Sequence, residues 1–163
     1  MPQIGILSDT HGFVHPRVLD FFSGVDEIWH AGDMGDIRIA NQLKALKPLR
    51  AVYGNIDGQD VRIEHPLVQL FQIDQVKVLM THIGGYPGRY DPRARLLIEQ
   101  EKPKLFICGH SHILKVMFDK KYNLLHINPG AAGKYGIHKS ITAIRFIIEG
   151  DNMCDLEVLD IPR

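Results

Sequence analysis

Polar side chains able to bind metal ions follow each of five apolar runs in the first two thirds of this 163-residue sequence. Each run has the length of a strand. The side chains are two aspartates, one asparagine and four histidines: Asp9, His11, Asp33, Asn55, His82, His110 and His112. In open α/β sheets, ligands bind at the carboxyl ends of the strands. If the five runs share one sheet edge, these oxygen and nitrogen groups converge there.

A glycine stands directly before the polar residue at three of the five exits, namely Gly32, Gly54 and Gly109. Glycine lets the backbone approach a ligand closely because it has no Cβ. Each polar residue also has an ordinary explanation, since an aspartate or asparagine suits a turn and a histidine suits a polar loop. The recurrence at the same position of five runs favours one shared metal site over five unrelated turns.

The seven side chains exceed the needs of a single ion, because Zn²⁺ usually takes four ligands or three and a water. Two ions sharing one aspartate would use the whole set. A two-metal site of this kind clamps the attacking and leaving oxygens of a displacement at phosphorus and lowers the pKa of a bound water. Imidazole and carboxylate ligands without thiolate admit Mn²⁺, Fe²⁺, Ni²⁺ or Zn²⁺. We interpret Cys108 as a core residue.

The elements that must position these residues alternate between strand and helix in the first half of the chain. Apolar runs predict strands at 3–8, 25–32 and 49–54, and apolar residues at helical spacing predict helices at 15–23 and 36–48. Strands that alternate with helices at this spacing predict βαβ units and a parallel sheet.

The second half is predicted to be mainly antiparallel. Two strands around residues 74–75 have the spacing of a hairpin, and Asp91 and Pro92 open a predicted helix at 91–103. A strand at 104–112 follows, and two further strand pairs are predicted around residues 120–121 and 151–152. We therefore predict a single α/β domain over residues 1–163, with two mixed β-sheets packed as a sandwich and flanked by helices.

Composition excludes several functional classes. Lys and Arg together equal Asp and Glu at 19 each, and no basic run occurs, so there is no strong signal for a nucleic-acid or anionic-membrane partner. The amino terminus lacks a secretory pattern, and no apolar run is long enough to cross a bilayer. The two cysteines, Cys108 and Cys154, fit a reducing compartment. We expect a cytoplasmic globular protein, and a homo-oligomer stays possible.

Five ordered motifs resemble those of a known family. The segments DTH (9–11), GD (32–33), GNID (54–57), TH (81–82) and GHSH (109–112) resemble the D-x-H, G-D, G-N-H-[ED], H and G-H-x-H motifs of calcineurin-like metallophosphoesterases. The short chain is most similar to the small bacterial and archaeal phosphodiesterases of that superfamily, whose scaffold is also used by a retromer subunit. The resemblance implies a four-layer metallophosphatase-like fold.

The resemblance also implies a role for each predicted ligand. Asp9, His11 and His112 would hold the first metal, Asp33 would bridge, and Asn55, His82 and His110 would hold the second. A bridging hydroxide would then attack the phosphorus of a small phosphodiester substrate.

Further residues are assigned roles in catalysis and phosphate binding. We predict catalytic roles for Asn55, Asp57 and His82, with Asp57 orienting a metal-ligating histidine. The amide of Asn55 can coordinate through oxygen and leave its NH₂ group for a phosphate oxygen. Weaker candidates for phosphate contact are Arg89 and Tyr90, or Lys134 and Tyr135.

One position departs from the commonest family pattern. Many members carry histidine where this chain has Ile56, and that histidine is thought to assist the leaving group. Isoleucine cannot transfer a proton, so the sequence favours diesters with good leaving groups over monoesters. Two alternatives remain open, namely a phosphomonoesterase and a non-catalytic protein-binding scaffold on the same fold.

Overall fold

The structure, a computed structural model, describes residues 1–163 and contains twelve strands and four helices. In chain order the elements are β1 (Gln3–Leu7), α1 (Pro16–Phe21), β2 (Glu27–His30), α2 (Ile37–Leu46), β3 (Leu49–Ala51), α3 (Gln59–Glu64), β4 (Val68–Ile73), β5 (Val76–Thr81), β6 (Gly85–Tyr86), β7 (Arg89–Tyr90), α4 (Pro92–Glu101), β8 (Leu105–Ile107), β9 (Leu114–Asp119), β10 (Leu124–Pro129), β11 (Ser140–Glu149) and β12 (Asn152–Pro162).

The strands form two five-stranded mixed sheets. In the first sheet the order is β12-β11-β1-β2-β3, and the predicted parallel strands β1, β2 and β3 are extended by the antiparallel β11 and β12. In the second sheet the order is β4-β5-β8-β10-β9, in which β5, β8 and β10 are parallel and the two edge strands are antiparallel. The predicted ligands follow the parallel strands of both sheets. The exception is β10, a parallel strand with no predicted ligand after it.

The two sheets pack face to face, and helices cover both outer faces. Fully buried side chains from both sheets, among them Trp29, Val78 and Phe146, fill the space between them. Helices α1 and α2 cover the other face of the first sheet, and α4 packs on the second sheet through residues such as Ile98. This order of four layers confirms the predicted α/β sandwich flanked by helices.

Local sequence signals explain where the longer helices begin. The side chain of Asp36 accepts a hydrogen bond from the amide of Arg38 at the start of α2. Asp91 caps α4 in the same way, with Pro92 in the first helical position. A cap of this kind contributes about 1 kcal/mol because it satisfies an amide that the helix cannot. None of the four helices has the length and apolar character needed to cross a membrane.

Two small elements were not predicted. Helix α3 has six residues, only Val61 of them buried, and its N-cap Gly58 makes no side-chain hydrogen bond. The hairpin of β6 and β7 has two residues in each strand. Neither segment is long enough to show a hydrophobic period, and both are held by contacts with the rest of the fold.

Candidate metal centre

Six of the seven predicted ligands form two compact groups of ligand atoms. The first group is Asp9, His11 and His112, and the second is Asp33, His82 and His110; within each group the ligand atoms lie within 4.8 Å of one another. Asn55 adjoins the second group, since its Oδ1 lies 3.1 Å from Nδ1 of His110. The residues come from the loops that follow β1, β2, β3, β5 and β8, at one edge of the sandwich.

The two groups meet at the aspartates. Nε2 of His11 lies 3.9 Å from Oδ1 of Asp9 and 3.8 Å from Oδ2 of Asp33. Nε2 of His82 lies 3.9 Å from the same oxygen of Asp9 and 3.1 Å from that of Asp33. Each carboxylate is therefore within reach of a histidine from both groups, which is the placement that a bridging ligand requires.

The backbone at the site is unusual. Five of the nine non-glycine residues with positive φ are predicted ligands, with φ values of 54° at Asp9, 47° at His11, 59° at Asp33, 72° at His110 and 62° at His112. Few non-glycine residues adopt this left-handed region. Strained residues persist where the surrounding structure over-determines them, and they cluster at functional sites. The fold therefore holds these five side chains in directions that a relaxed loop would not choose.

The two oxygens of Asp9 have different surroundings. Oδ2 accepts hydrogen bonds from the Ser8 hydroxyl at 2.7 Å and from the His110 amide at 3.1 Å. Oδ1 is left facing the histidines. Burial alone would raise the pKa of Asp9, but the rings of His11, His112 and His82 beside Oδ1 bring that pKa well below its usual range. The carboxylate is thus held ionised and turned toward the centre of the site.

Asp57 holds the loops after β2 and β3 together. Its Oδ2 accepts from the amides of Asp33 at 3.0 Å and Gly54 at 2.8 Å, and its Oδ1 accepts from the amide of Gly35 at 2.9 Å. This arrangement differs from our expectation that Asp57 would orient a metal-ligating histidine. Three backbone amides fill its two buried oxygens, so Asp57 positions the main chain that carries Asp33.

A backbone carbonyl orients His82 instead. Its Nδ1 lies 2.7 Å from the carbonyl oxygen of Ala31. A carbonyl can only accept, so Nδ1 carries a proton, and in the neutral ring Nε2 is the nitrogen left to bind a metal ion. A hydrogen bond of this kind sets the ring orientation that His82 would need as a metal ligand.

Three buried polar atoms at this centre have no hydrogen-bond partner: Oδ1 of Asp9, Nε2 of His11 and Nε2 of His82. A buried polar atom without a partner costs about 1–3 kcal/mol. Carboxylate oxygens and imidazole nitrogens are ligands for Mn²⁺, Fe²⁺, Ni²⁺ and Zn²⁺. The orphaned atoms and the donor set both fit divalent metal ions bound between the two groups.

Two glycines allow the loops to approach this closely. A Cβ on Gly54 would clash with the carboxylate of Asp33, and a Cβ on Gly109 would clash with the Ser8 hydroxyl. Both glycines directly precede predicted ligands. Because they have no side chain, one ligand loop can pack closely against another.

Of the first two residues predicted to contact phosphate, Tyr90 is buried and Arg89 is exposed. The hydroxyl of Tyr90 donates to Oδ2 of Asp119 at 2.7 Å, and its ring lies in the core beneath α4. Burial and the Asp119 carboxylate raise the pKa of Tyr90. This hydroxyl therefore has a partner other than the phosphate that we predicted for it. Arg89 is exposed, and its contact with phosphate stays a prediction.

The second pair of candidates lies beside the first ligand group. The ring of Tyr135 lies 6.5 Å from that of His11, and Nζ of Lys134 lies 4.0 Å from the centre of the Phe13 ring. Tyr135 is therefore near the candidate centre, while the Lys134 ammonium rests on an aromatic face.

Two supporting residues were missed by reasoning from the sequence. Ser8 donates to Asp9, and the only signal was a polar residue at the end of an apolar run. His30 is the second of them. It is fully buried, and its ring nitrogens contact the Gly32 amide at 3.0 Å and the Thr10 hydroxyl at 2.9 Å. Burial lowers the pKa of His30 to about 4, so this neutral ring links the loops after β1 and β2.

Comparisons with known proteins agree with this geometry. The profile of the calcineurin-like phosphoesterase superfamily domain matches residues 3–151. A probable metallophosphoesterase of Methanothermobacter thermautotrophicus is 32% identical over 133 residues, which are 78% of this chain and 76% of the relative.

Solved structures share the fold. A protein described as a novel archaeal phosphodiesterase has a TM-score of 0.76 and 23% identity, with 98% of this chain and 99% of that chain covered. Vps29 of Entamoeba histolytica complexed with Zn²⁺ has a TM-score of 0.74 and 16% identity, with 98% of each chain covered.

Proposed function

The chain belongs to the calcineurin-like phosphoesterase superfamily, and from that premise we propose that it is a phosphodiesterase that depends on two divalent metal ions. The observation that carries the proposal is the pair of adjoining ligand groups at Asp9 and Asp33. Their three unpartnered buried atoms point into the same space. The ions would be Mn²⁺, Ni²⁺, Fe²⁺ or Zn²⁺, and the reaction would be the attack of water on the phosphorus of a diester.

The residues divide between the ions by their grouping. Asp9, His11 and His112 would hold one ion, Asn55, His82 and His110 would hold the other, and Asp33 would be shared. Two such ions, when bound, supply Lewis-acid activation of water and of a phosphate oxygen.

The charge of the protein ligands suits an anionic substrate. Asp9 and Asp33 are the only carboxylates among the seven ligands, because Asn55 and the histidines are neutral when they coordinate. Their two negative charges only partly offset two divalent cations. Asn55 is exposed, so its Nδ2 can donate to a phosphate oxygen while its Oδ1 faces the second group.

Ile56 supports a diester rather than a monoester substrate. Its side chain is 48% exposed beside Asn55, and its amide donates to Oδ1 of Asp33 at 3.1 Å. The main chain of this residue thus stabilises a carboxylate, while its side chain presents no proton to a leaving group. A diester with an acidic leaving alcohol depends least on such a proton.

The test is metal-dependent hydrolysis by the purified chain. After chelation, we expect Mn²⁺ or Ni²⁺ to restore hydrolysis of bis(p-nitrophenyl) phosphate more strongly than that of p-nitrophenyl phosphate, with two ions bound per chain. Asp33→Asn should lower the restored rate by about 10²-fold or more, because it removes one of two ligand carboxylates. Asp36→Asn, at the half-buried N-cap of α2 and outside both ligand groups, is the matched control.

Two results would argue against the proposal. Failure of any of these metals to restore hydrolysis of either ester would favour a non-catalytic scaffold role for the fold. Restored hydrolysis of the monoester in preference to the diester would favour a phosphomonoesterase.

A further inference from the structure

A cavity of about 360 Å³ adjoins the loop that carries His110 and His112. Ser111, which stands between these two histidines in the chain, lines the cavity. The cavity therefore lies beside the loop that carries one histidine of each ligand group. Its volume is within the range of small-molecule sites.

The cavity contains a buried side chain with no partner. His126 is fully buried on β10, and neither of its ring nitrogens makes a hydrogen bond. Burial first, and the nearby Lys115 second, lower the pKa of His126 to about 4. The ring is therefore neutral near pH 7 and offers one donor and one acceptor.

The other polar groups of the cavity add hydrogen-bond donors. The Ser111 hydroxyl oxygen accepts from Nδ2 of Asn128 at 3.0 Å and from the Ile113 amide at 3.2 Å. Both hydrogen bonds use its lone pairs, so its own proton is free to donate. Lys115 lies with its ammonium 5.2 Å from the centre of the Tyr86 ring and forms no ion pair.

No carboxylate lines the cavity. Asp119, the carboxylate whose charge acts on His126, is already occupied, since it accepts from the Tyr90 hydroxyl at 2.7 Å and from the Lys121 amide at 2.9 Å. Lys115, Ser111 and His126 therefore offer hydrogen-bond donors to a cavity whose lining carries a net positive charge.

We propose that this cavity binds a second anionic group, carried on one of the two alcohols of the phosphodiester substrate. The Lys115 ammonium, the Ser111 hydroxyl and the His126 N–H contact the anion, and Tyr86 and Ile113 form the apolar walls beside it. The inference rests on the proposed function and narrows it to diesters that carry an additional negative charge. Lys115 is a specificity-determining residue in this arrangement.

The kinetic test compares p-nitrophenyl 2-phosphoethyl phosphate with p-nitrophenyl ethyl phosphate, which differ only in the second anionic group. We expect the metal-loaded protein to show a kcat/KM about tenfold higher for the first diester, since hydrogen bonds to charged groups contribute that much. Lys115→Met should bring the ratio of the two kcat/KM values toward one. Lys115→Arg should retain the preference, as should Lys120→Met, which changes an exposed lysine outside the cavity.

A wild-type ratio near one, or a preference that survives Lys115→Met, would overturn the inference. A binding measurement separates that failure from failure of the proposed function. Inorganic phosphate, titrated into the purified chain, should shift the NMR resonances of the His126 ring in the wild type and not in Lys115→Met. If neither diester is hydrolysed but these shifts occur, the phosphodiesterase proposal fails and the anion site stands. If the His126 resonances do not move, the anion site fails.

Discussion

At the scale of single residues, Asp57 shows how one side chain can control a site that it does not enter. Its buried carboxylate accepts three amide hydrogen bonds, and one of them comes from Asp33. Without the Asp57 carboxylate, the amides of the loops after β2 and β3 would lack this acceptor. A change at Asp57 should therefore affect stability and metal binding together.

Asp57→Asn tests this positioning role. The substitution places an NH₂ group against a backbone amide, so we expect a loss of about 1–3 kcal/mol in the free energy of unfolding, measured with urea. Metal affinity should fall by about 10–100-fold, as measured by calorimetry, because the supported ligand is displaced. Asp20→Asn, at an exposed position of α1, is the control and should change neither quantity. Unchanged metal affinity in Asp57→Asn would contradict the positioning role.

Ile56 is the residue at which the sequence and the family pattern diverge. Ile56→His should raise the ratio of monoester to diester kcat/KM, because the imidazole restores a proton donor beside the metal centre. General acid catalysis contributes about 10²–10⁴-fold, so we expect an increase of at least about tenfold. Ile63→His places the same side chain at an exposed position of α3 and should leave the ratio unchanged. Equal ratios in both variants would show that position 56 does not set the preference.

At the scale of elements, the close approach of the ligand loops depends on glycine. Gly54 lies in the loop that follows β3. The Asp33 carboxylate occupies the space that a Cβ on Gly54 would need. Gly54→Ala should lower stability by about 1–3 kcal/mol, because overpacking displaces neighbouring groups. It should also remove the proposed metal-dependent activity, since the displaced Asp33 carboxylate is a predicted ligand.

Gly58→Ala is the matched control for this prediction. Gly58 has a φ of −86°, and an added Cβ would meet only Oδ1 of Asp60 at 3.5 Å, which is ordinary contact. Thermal unfolding and metal content should therefore resemble those of the wild type. Equal behaviour of the two alanine variants would show that the tight contact at Gly54 is not required.

The strands and the loops that follow them could largely be located from the sequence. The exits of β1, β2, β3, β5 and β8 could be located because each follows an apolar run of strand length, and parallel strands bring their carboxyl ends together. The partners of Asp57 and Tyr90 could not, because they depend on contacts across loops and sheets. The hydrogen bonds of the neutral His30 ring could not be predicted for the same reason. Nor could the burial of His126 without a hydrogen-bond partner.

At the scale of the whole molecule, the candidate centre joins segments that are far apart in the chain. Residues from 9 to 112 meet at one edge of the sandwich, and Oδ1 of Asp9 and Oδ2 of Asp33 lie beside the same histidines. Without a cation, the fold has to hold two carboxylates near each other and leave three buried atoms unpartnered. Both features oppose folding, and bound metal ions would remove both.

Metal ions should therefore stabilise the entire fold. At 100 times the dissociation constant, a ligand that binds only the folded chain adds about 2.7 kcal/mol. For a chain of this size that corresponds to a rise of roughly 5–10 °C in Tm per site. We expect scanning calorimetry to show this rise when Mn²⁺ or Zn²⁺ is added to the chelated protein. Asp9→Asn should reduce the metal-induced rise, since it weakens a ligand of the first ion. The exposed Asp20→Asn should keep it in full. A Tm that does not change with metal concentration in the wild-type protein would show that the two groups do not bind ions strongly enough to couple to folding.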